Sequence, residues 1–368
     1  MVNVLIVEDS PVQQALLGHI LSSDSDITVI GTANDGREAV AFVNQRKPDI
    51  ITMDLNMPHM NGLEATRRIM ETNPVPIIIV SANWDPQEVA VTFQAMEAGA
   101  LAGVEKPRGL GHKDFATTAR QLVQTVKLMS EIKVIRRWPQ LRPKSLSAMT
   151  PPDAAIPGLV PQPPAEVKLV VIGASTGGPP VLHTLLANLP KDFPVPIAIV
   201  QHIAVGFLDG LVAWLSQSTG VPIHVPAHGD LMLPGHVYLA PDGRHLGVER
   251  GPRAAVVEAP PENNLRPAVS FLFRSAAQVL GNRAVGVLLT GMGQDGAAEL
   301  KLLRDQGAIT IAQDKESSVV HGMPGEAIQL QGATHILPPD LIVELLAQLC
   351  RRPQDALEGL RQRTGTRL

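Results

Sequence analysis

The sequence predicts two α/β domains, each built on a doubly wound parallel sheet, and three observations carry that prediction. Apolar runs of strand length alternate with segments of helical period from the start of the chain, one proline-crowded stretch interrupts the alternation, and the alternation then resumes. A chain of 368 residues is long for one core and suits two. In the first half, VNVLIV, ITVIGTA, DIITMD, PIIIVSA and AGVEKP read as strands, separated by helical stretches such as VQQALLGHILSS and GREAVAFVNQ. The amphipathic segment DFATTARQLVQTVKLMSEIKVIRR reads as a closing helix, and the first domain is placed at residues 1–127. Pro139, Pro143, Pro151, Pro152, Pro157, Pro161, Pro163 and Pro164 then crowd a stretch without periodicity, so residues 128–166 read as an extended, semi-rigid linker. From Val167 the strands VKLVVIG, PIAIVQH, HVYLAP, AVGVLLTG and AITIAQD define a second domain over 167–350, and the polar residues 351–368 read as a tail.

Composition narrows the function classes. A formal net charge of -4 leaves no basic footprint for nucleic acid, and no lysine-arginine block suits an acidic membrane surface. Cys350 is the only cysteine, which excludes an intramolecular disulfide. The start MVNVLIVEDS has neither a basic leader nor a long apolar run, so a cytoplasmic location is expected. Apolar runs such as AVGVLLTG end in glycine well short of the roughly 20 residues that cross a bilayer, so no direct membrane insertion is expected.

Ligands of open parallel sheets bind beyond the carboxyl ends of the strands, so the residues there are the candidates for chemistry. In the first domain Glu8 and Asp9 follow VNVLIV, Asp54 follows DIITM, Ser81 follows PIIIV, and Lys106 follows AGVE. Carboxylates converging on one edge repel, and a hard cation such as Mg²⁺ held by Glu8, Asp9 and Asp54 relieves the repulsion. Asp54 is then the candidate phosphoryl acceptor, with the Lys106 ammonium and the Ser81 hydroxyl contacting the phosphoryl oxygens. Each residue alone could be a loop or cap residue; the ordered set argues for chemistry.

In the second domain the run VKLVVIGASTGGPPVLHTLLANL reads as strand, tight turn and helix, with Ser175 at the turn and Pro179 and Pro180 suited to the first helical turn. Gly173, Ser175 and Gly177 satisfy G-x-S-x-G, whose small neighbours let a serine oxygen project above the sheet. A serine needs a base, and His202 follows the strand PIAIVQ; the base needs an orienting carboxylate, and Asp295 follows AVGVLLTG within a glycine-rich turn. The chain order Ser175, His202, Asp295 differs from the Ser, acid, His order of α/β-hydrolases, so the motif does not assign that fold. Candidate oxyanion donors are the backbone N–H groups of Thr176 and Met292. No cofactor is called for in this domain. His224 and His228 have no obvious third ligand nearby, which disfavours a metal site.

The first domain, from about Asn3 to Lys127, resembles the receiver domain of two-component response regulators. The pair Glu8-Asp9, the stretch MDLNMPHMNGLE around Asp54, the Ser81 hydroxyl and the EKP containing Lys106 carry the likeness. Receivers usually place an aromatic switch residue shortly before that lysine, and the matching position here is Gly103. With GASTGG, QH and LLTGMGQDGA following a receiver, the whole chain resembles the CheB family of chemotaxis protein-glutamate methylesterases; GHVYLAPDGRH, RPAVSFLFRSAA and VVHGMPGEAI add to the likeness. The resemblance implies a flavodoxin-like receiver and a Rossmann-like methylesterase domain. It further implies hydrolysis of glutamate methyl esters on methyl-accepting chemoreceptors with release of methanol, deamidation of receptor glutamines, and activation through phosphorylation by a CheA-type histidine kinase. Two stretches depart from the family pattern: QHIAVGFLDG, where Met-Pro commonly follows QH, and the RPSVD-like segment, which here ends in Ser270.

Two rival classes remain to be separated from an esterase. A nucleotide-binding module would use GASTGG and TGMGQDG as phosphate cradles, but the first lacks G-x-G-x-x-G and the next strand ends in Gln201-His202 instead of an acidic residue. A silent adapter would be indifferent to loss of the Ser175 hydroxyl.

Overall fold

In the computed structural model of the chain, residues 1–81, 86–109, 111–112, 115–132, 134 and 166–350 are described. Most of the linker read from the sequence, and the whole tail at 351–368, lie outside them. The chain forms two compact units.

The first unit carries β1 (Val2–Val7), α1 (Pro11–Ser22), β2 (Ile27–Ala33), α2 (Gly36–Gln45), β3 (Ile50–Met53), α3 (Gly62–Thr72), β4 (Ile77–Ser81), the end of α4 (Pro86–Ala98, of which the residues up to Phe93 group with the second unit), β5 (Ala102–Glu105) and α5 (Phe115–Ser130). The strands are parallel in the order β2-β1-β3-β4-β5, so the chain reverses direction across the sheet between β1 and β3. β3 and β4 are buried along their whole length, as continuous apolar runs in a sheet covered on both faces require. Asp35 caps α2 by accepting from the N–H groups of Arg37 and Glu38, and Asn61 caps α3 by accepting from that of Glu64. Gly103, the position of the missing aromatic residue, lies within β5 and pairs with Ile79. The closing helix is shorter than its apolar pattern: α5 ends at Ser130, where Glu131 and Ile132 turn back onto Leu128 and Met129 and the Ser130 hydroxyl donates to the Lys127 carbonyl.

The second unit carries β6 (Leu169–Ala174), α6 (Gly178–Asn188), β7 (Ile197–Gln201), α7 (Leu208–Thr219), β8 (Ile223–His224), β9 (Val237–Leu239), β10 (His245–Glu249), β11 (Arg253–Val257), α8 (Val269–Leu280), β12 (Ala284–Leu288), α9 (Ala297–Asp305), β13 (Ile309–Gln313), α10 (Met323–Gln329), β14 (His335–Leu337) and α11 (Pro339–Leu349). Seven parallel strands run in the order β14-β13-β12-β6-β7-β9-β8. The chain starts in the middle at β6, builds outward through β7, and returns to the other side with β12. β10 and β11 form an antiparallel hairpin outside this sheet, an addition that βα alternation does not announce. Between sheet and hairpin lies a core that includes Leu169, Val200, Leu246, Leu272, Phe273 and Leu288. Burying Phe273 alone contributes about 1.5–3 kcal/mol, which anchors α8 and so fixes its N-terminus at the carboxyl edge of the sheet.

A Cβ on Gly62 would lie 2.0 Å from the Asp54 carbonyl oxygen, closer than any real contact. Gly62→Ala must displace the turn after β3, and a loss of about 1–3 kcal/mol from the first unit is expected in urea unfolding of the full-length protein; an unchanged midpoint would show that this turn is not tightly packed.

Candidate functional site

The structure brings the sequence-predicted residues of the second unit to one edge. Ser175 leaves β6 in the turn before α6, with its N–H donating to the Thr290 carbonyl at 3.0 Å. Gly177, at φ 77°, opens α6, and Pro179 and Pro180 occupy the first helical turn. A Cβ on Gly178 would lie 2.1 Å from Gln201 Oε1 and one on Gly291 2.7 Å from Ser175 Cβ, so glycines let two turns close on the serine. His202 extends the β6–β7 pairing through its N–H, which donates to the Ala174 carbonyl at 2.9 Å. Its Nε2 lies 2.9 Å from Asp295 Oδ2. With Nε2–H donated to the carboxylate, Nδ1 is the nitrogen open to take a proton. Among the described residues the Ser175 hydroxyl makes no hydrogen bond, so the serine-to-imidazole contact that catalysis needs is not preformed here.

Asp295 is 2% exposed and accepts from four donors: His202 Nε2 and the Val269 N–H (2.6 Å) on Oδ2, and the Ser270 N–H (3.1 Å) and hydroxyl (2.6 Å) on Oδ1. Burial pushes this carboxyl upward, but the bonds from His202, then Ser270, then the Val269 N–H outweigh it and hold the group below the usual aspartate range. Val269 and Ser270 open α8, whose N-cap residue Ala268 offers no side-chain cap, so Asp295 caps that helix from a different loop.

Three further residues tie the edge together and were not picked out in the sequence. Thr290 accepts Ser175 N–H at its carbonyl, and its hydroxyl lies 3.0 Å from the Thr176 carbonyl while accepting the Val320 N–H at 2.9 Å. Gln313, at the end of β13, accepts the Thr290 N–H at 2.8 Å. Gln201 Nε2 donates to the carbonyls of both Ser175 and His202 at 2.8 Å. The only available signal was their position, a polar residue at or just after a strand end. Thr176 lies in the turn between Ser175 and α6, and Met292 follows Gly291, which packs against Ser175.

The first unit assembles a different pocket at its own carboxyl edge. Lys106 Nζ lies 2.7 Å from Glu8 Oε2 and 2.9 Å from Asp54 Oδ2, all three groups being buried, while Asp9 is exposed beside them. Asp54 Oδ1 accepts the Leu55 N–H at 2.8 Å, and Ser81, at the end of β4, is buried next to β5, where its carbonyl accepts the Lys106 N–H. Carboxylate oxygens of Glu8, Asp9 and Asp54 lie within 4.8 Å of one another. Burial pushes Asp54 and Glu8 above their usual ranges despite Lys106. For Lys106 burial works downward, yet its two carboxylate partners raise it. One ammonium shared by two buried carboxylates leaves each of them under-compensated, so the pocket favours more positive charge.

Residues 170–346 match the family described as CheB methylesterase, and residues 4–112 match the family described as response regulator receiver domain. A protein-glutamate methylesterase/protein-glutamine glutaminase of Nitrosospira multiformis is 53% identical over 352 residues, covering 95% of this chain and 97% of that relative. One of Geobacter metallireducens is 55% identical over 351 residues, covering 95% of this chain and 99% of the relative. The crystal structure of the Thermotoga maritima CheB methylesterase catalytic domain is 39% identical and covers 50% of this chain and 100% of that one, with a TM-score of 0.48.

Because folding depresses the Asp295 carboxyl, its contribution to stability is complete above the unfolded-state value of about 3.9 and is lost as pH falls through the lower folded value. Asp295→Asn is expected to destabilise the second unit by about 1–3 kcal/mol at neutral pH, with the gap to wild type narrowing below about pH 4. Urea midpoints measured across that range check this; a gap independent of pH would mean the carboxyl is not ionised in the folded protein.

Proposed function

The chain belongs to the CheB methylesterase family, and from that premise we propose that its second unit hydrolyses glutamate methyl esters on chemoreceptors and deamidates receptor glutamines, under control of phosphorylation in its first unit. The observation that carries this reading is the His202–Asp295 hydrogen bond at the sheet edge that also holds Ser175. In the proposed reaction His202 Nδ1 takes the Ser175 proton as Oγ attacks the ester carbonyl. The N–H groups of Thr176 and Met292 face the developing oxyanion; neither has a hydrogen-bond partner among the described residues, and Gly291 holds the second beside the serine. The imidazolium returns its proton to the leaving methoxide, releasing methanol, and a water deprotonated by the same imidazole then frees the glutamate. For a glutamine substrate the leaving group is ammonia.

In the first unit Asp54 accepts the phosphoryl group, with Lys106 and Ser81 contacting its oxygens. The chemistry of the donor set fits Mg²⁺: Glu8, Asp9 and Asp54 supply three clustered carboxylates against one ammonium, and oxygen ligands suit a hard cation. When bound, the cation neutralises charge on the transferring phosphoryl group. The phosphodonor is a histidine kinase of the CheA type and the substrates are methyl-accepting chemoreceptors. Residues 1–127 are assigned to the receiver, 128–166 to the linker, 167–350 to the catalytic domain and 351–368 to a tail, with the last turn of α5 carrying the receiver on to Ser130. No helix among the described residues is long and apolar enough to cross a membrane, and we place the protein in the cytoplasm. With Gly103 in place of an aromatic switch, the signal passes through the turns at Asp54 and Ser81.

The test is methanol release from a methylated receptor cytoplasmic fragment, with and without a small phosphodonor and Mg²⁺. Release that rises with phosphodonor, falls at least about 10³-fold in Ser175→Ala and loses its phosphodonor response in Asp54→Asn is expected. Release unaffected by Ser175→Ala would remove the serine mechanism, and an unchanged phosphodonor response in Asp54→Asn would remove Asp54 as the acceptor.

A further inference from the structure

Ser270 stands where the family pattern ends in aspartate, and the structure gives this substitution a consequence. Its hydroxyl donates to Asp295 Oδ1 at 2.6 Å and accepts the Gly296 N–H at 3.0 Å. Ser270 is 3% exposed and is held by a helix that is itself immobilised at its start, because the Ala268 N–H donates to His245 Nδ1 at 3.2 Å. The turn carrying Asp295 therefore closes on α8 through a ring of three bonds: Ser270 N–H and hydroxyl to Oδ1, and Gly296 N–H to the hydroxyl. Gly296, at φ 83°, allows this approach, since a Cβ there would lie 2.3 Å from Val269 Cγ1. We infer that Ser270 is a positioning residue of the hydrolytic reaction, its hydroxyl fixing the Asp295 carboxylate in the rotation that offers Oδ2 to His202.

A carboxylate has two equivalent oxygens and turns easily about its last torsion. Turning the group breaks the bonds on both oxygens: Oδ2 is held by His202 and Val269, and on Oδ1 the Ser270 hydroxyl makes the shorter of two bonds. An aspartate at 270 would have to stay protonated to donate the same bond; ionised, it would set a second negative charge against Asp295. A serine supplies the donor at every pH at which the enzyme folds. The other charged groups near the carboxylate are His202, beyond β7, and Arg274 on α8, whose guanidinium is paired with Glu262 and Glu299.

This inference rests on the esterase reading, and the test separates the two. Full-length wild type, Ser270→Ala, Ser270→Thr and Ser270→Asp are compared for methanol release from the methylated receptor fragment across pH, with thermal melts to show folding. Ser270→Ala is expected to lose about 10–100-fold in kcat with KM little changed, taking as a guide the range for removing the hydrogen-bond partner of a metal-ligating side chain. Its acid limb, which belongs to the His202–Asp295 pair as a unit, is expected to move to higher pH because Asp295 loses a donor to its ionised form. Ser270→Thr should recover most of the rate, and Ser270→Asp should be more active at low pH, relative to neutral pH, than wild type. In substrate-free protein, the proton resonance of His202 Nε2–H should shift in Ser270→Ala and return in Ser270→Thr. A folded Ser270→Ala with wild-type kcat, acid limb and proton resonance would overturn the inference while leaving the esterase intact. Silence of wild type in the methanol assay would overturn the esterase reading, and the resonance would then decide whether Ser270 positions the pair.

Discussion

The second unit depends on one buried carboxylate doing two jobs. Asp295 orients His202 and also caps α8, whose own N-cap residue is an alanine. Moving a carboxylate out of water costs several kcal/mol, and a charge-assisted hydrogen bond returns about 1.5–3 kcal/mol, so one or two donors would not hold it ionised. Four do. Two of those four are helix N–H groups that need an acceptor in any case, so the same carboxylate that holds the imidazole also meets a requirement of folding. Apolar packing of α8 against the sheet, through residues such as Leu272 and Phe273, is what delivers those N–H groups to the place where a strand-end aspartate can meet them.

The same topological rule operates in both units. A doubly wound sheet leaves a crevice where the chain reverses direction across it, and functional groups gather there. In the first unit the reversal lies between β1 and β3, and Glu8, Asp9 and Asp54 follow those two strands. In the second it lies between β6 and β12, and Ser175 and Asp295 follow those two, with His202 one strand away. The two crevices differ in charge. The first pairs one ammonium with two buried carboxylates, with a third, exposed carboxylate beside them; the second balances a single carboxylate against neutral donors and an imidazole, which suits proton transfer.

Strand ends were legible in the sequence because a buried parallel strand is a continuous apolar run, and the first polar residue after it is conspicuous. That made Asp54, Lys106, Ser175 and His202 readable by position alone, and Asp295 by its glycine neighbours. Thr290, Gln201 and Gln313 escaped because their work is done by bonds to backbone atoms of other turns, and nothing in a single sequence says which turns meet. The β10–β11 hairpin escaped for a related reason: it lies outside the parallel sheet, so βα alternation does not require it. The overrun at the end of α5 shows the opposite failure, since amphipathic periodicity continues past Ser130 although the last turn there tightens and stops.

Each hydrogen bond that positions Ser175, His202 and Asp295 comes from within the second unit: Thr290 for the serine, Ala174 and Gln201 for the histidine, Val269 and Ser270 for the aspartate. No residue of the β1–β5 sheet takes part in these bonds. The buried aspartate is therefore held by the same packing of α8 against the sheet that makes the core of the second unit, and it stays paired with the imidazole for as long as that core is folded.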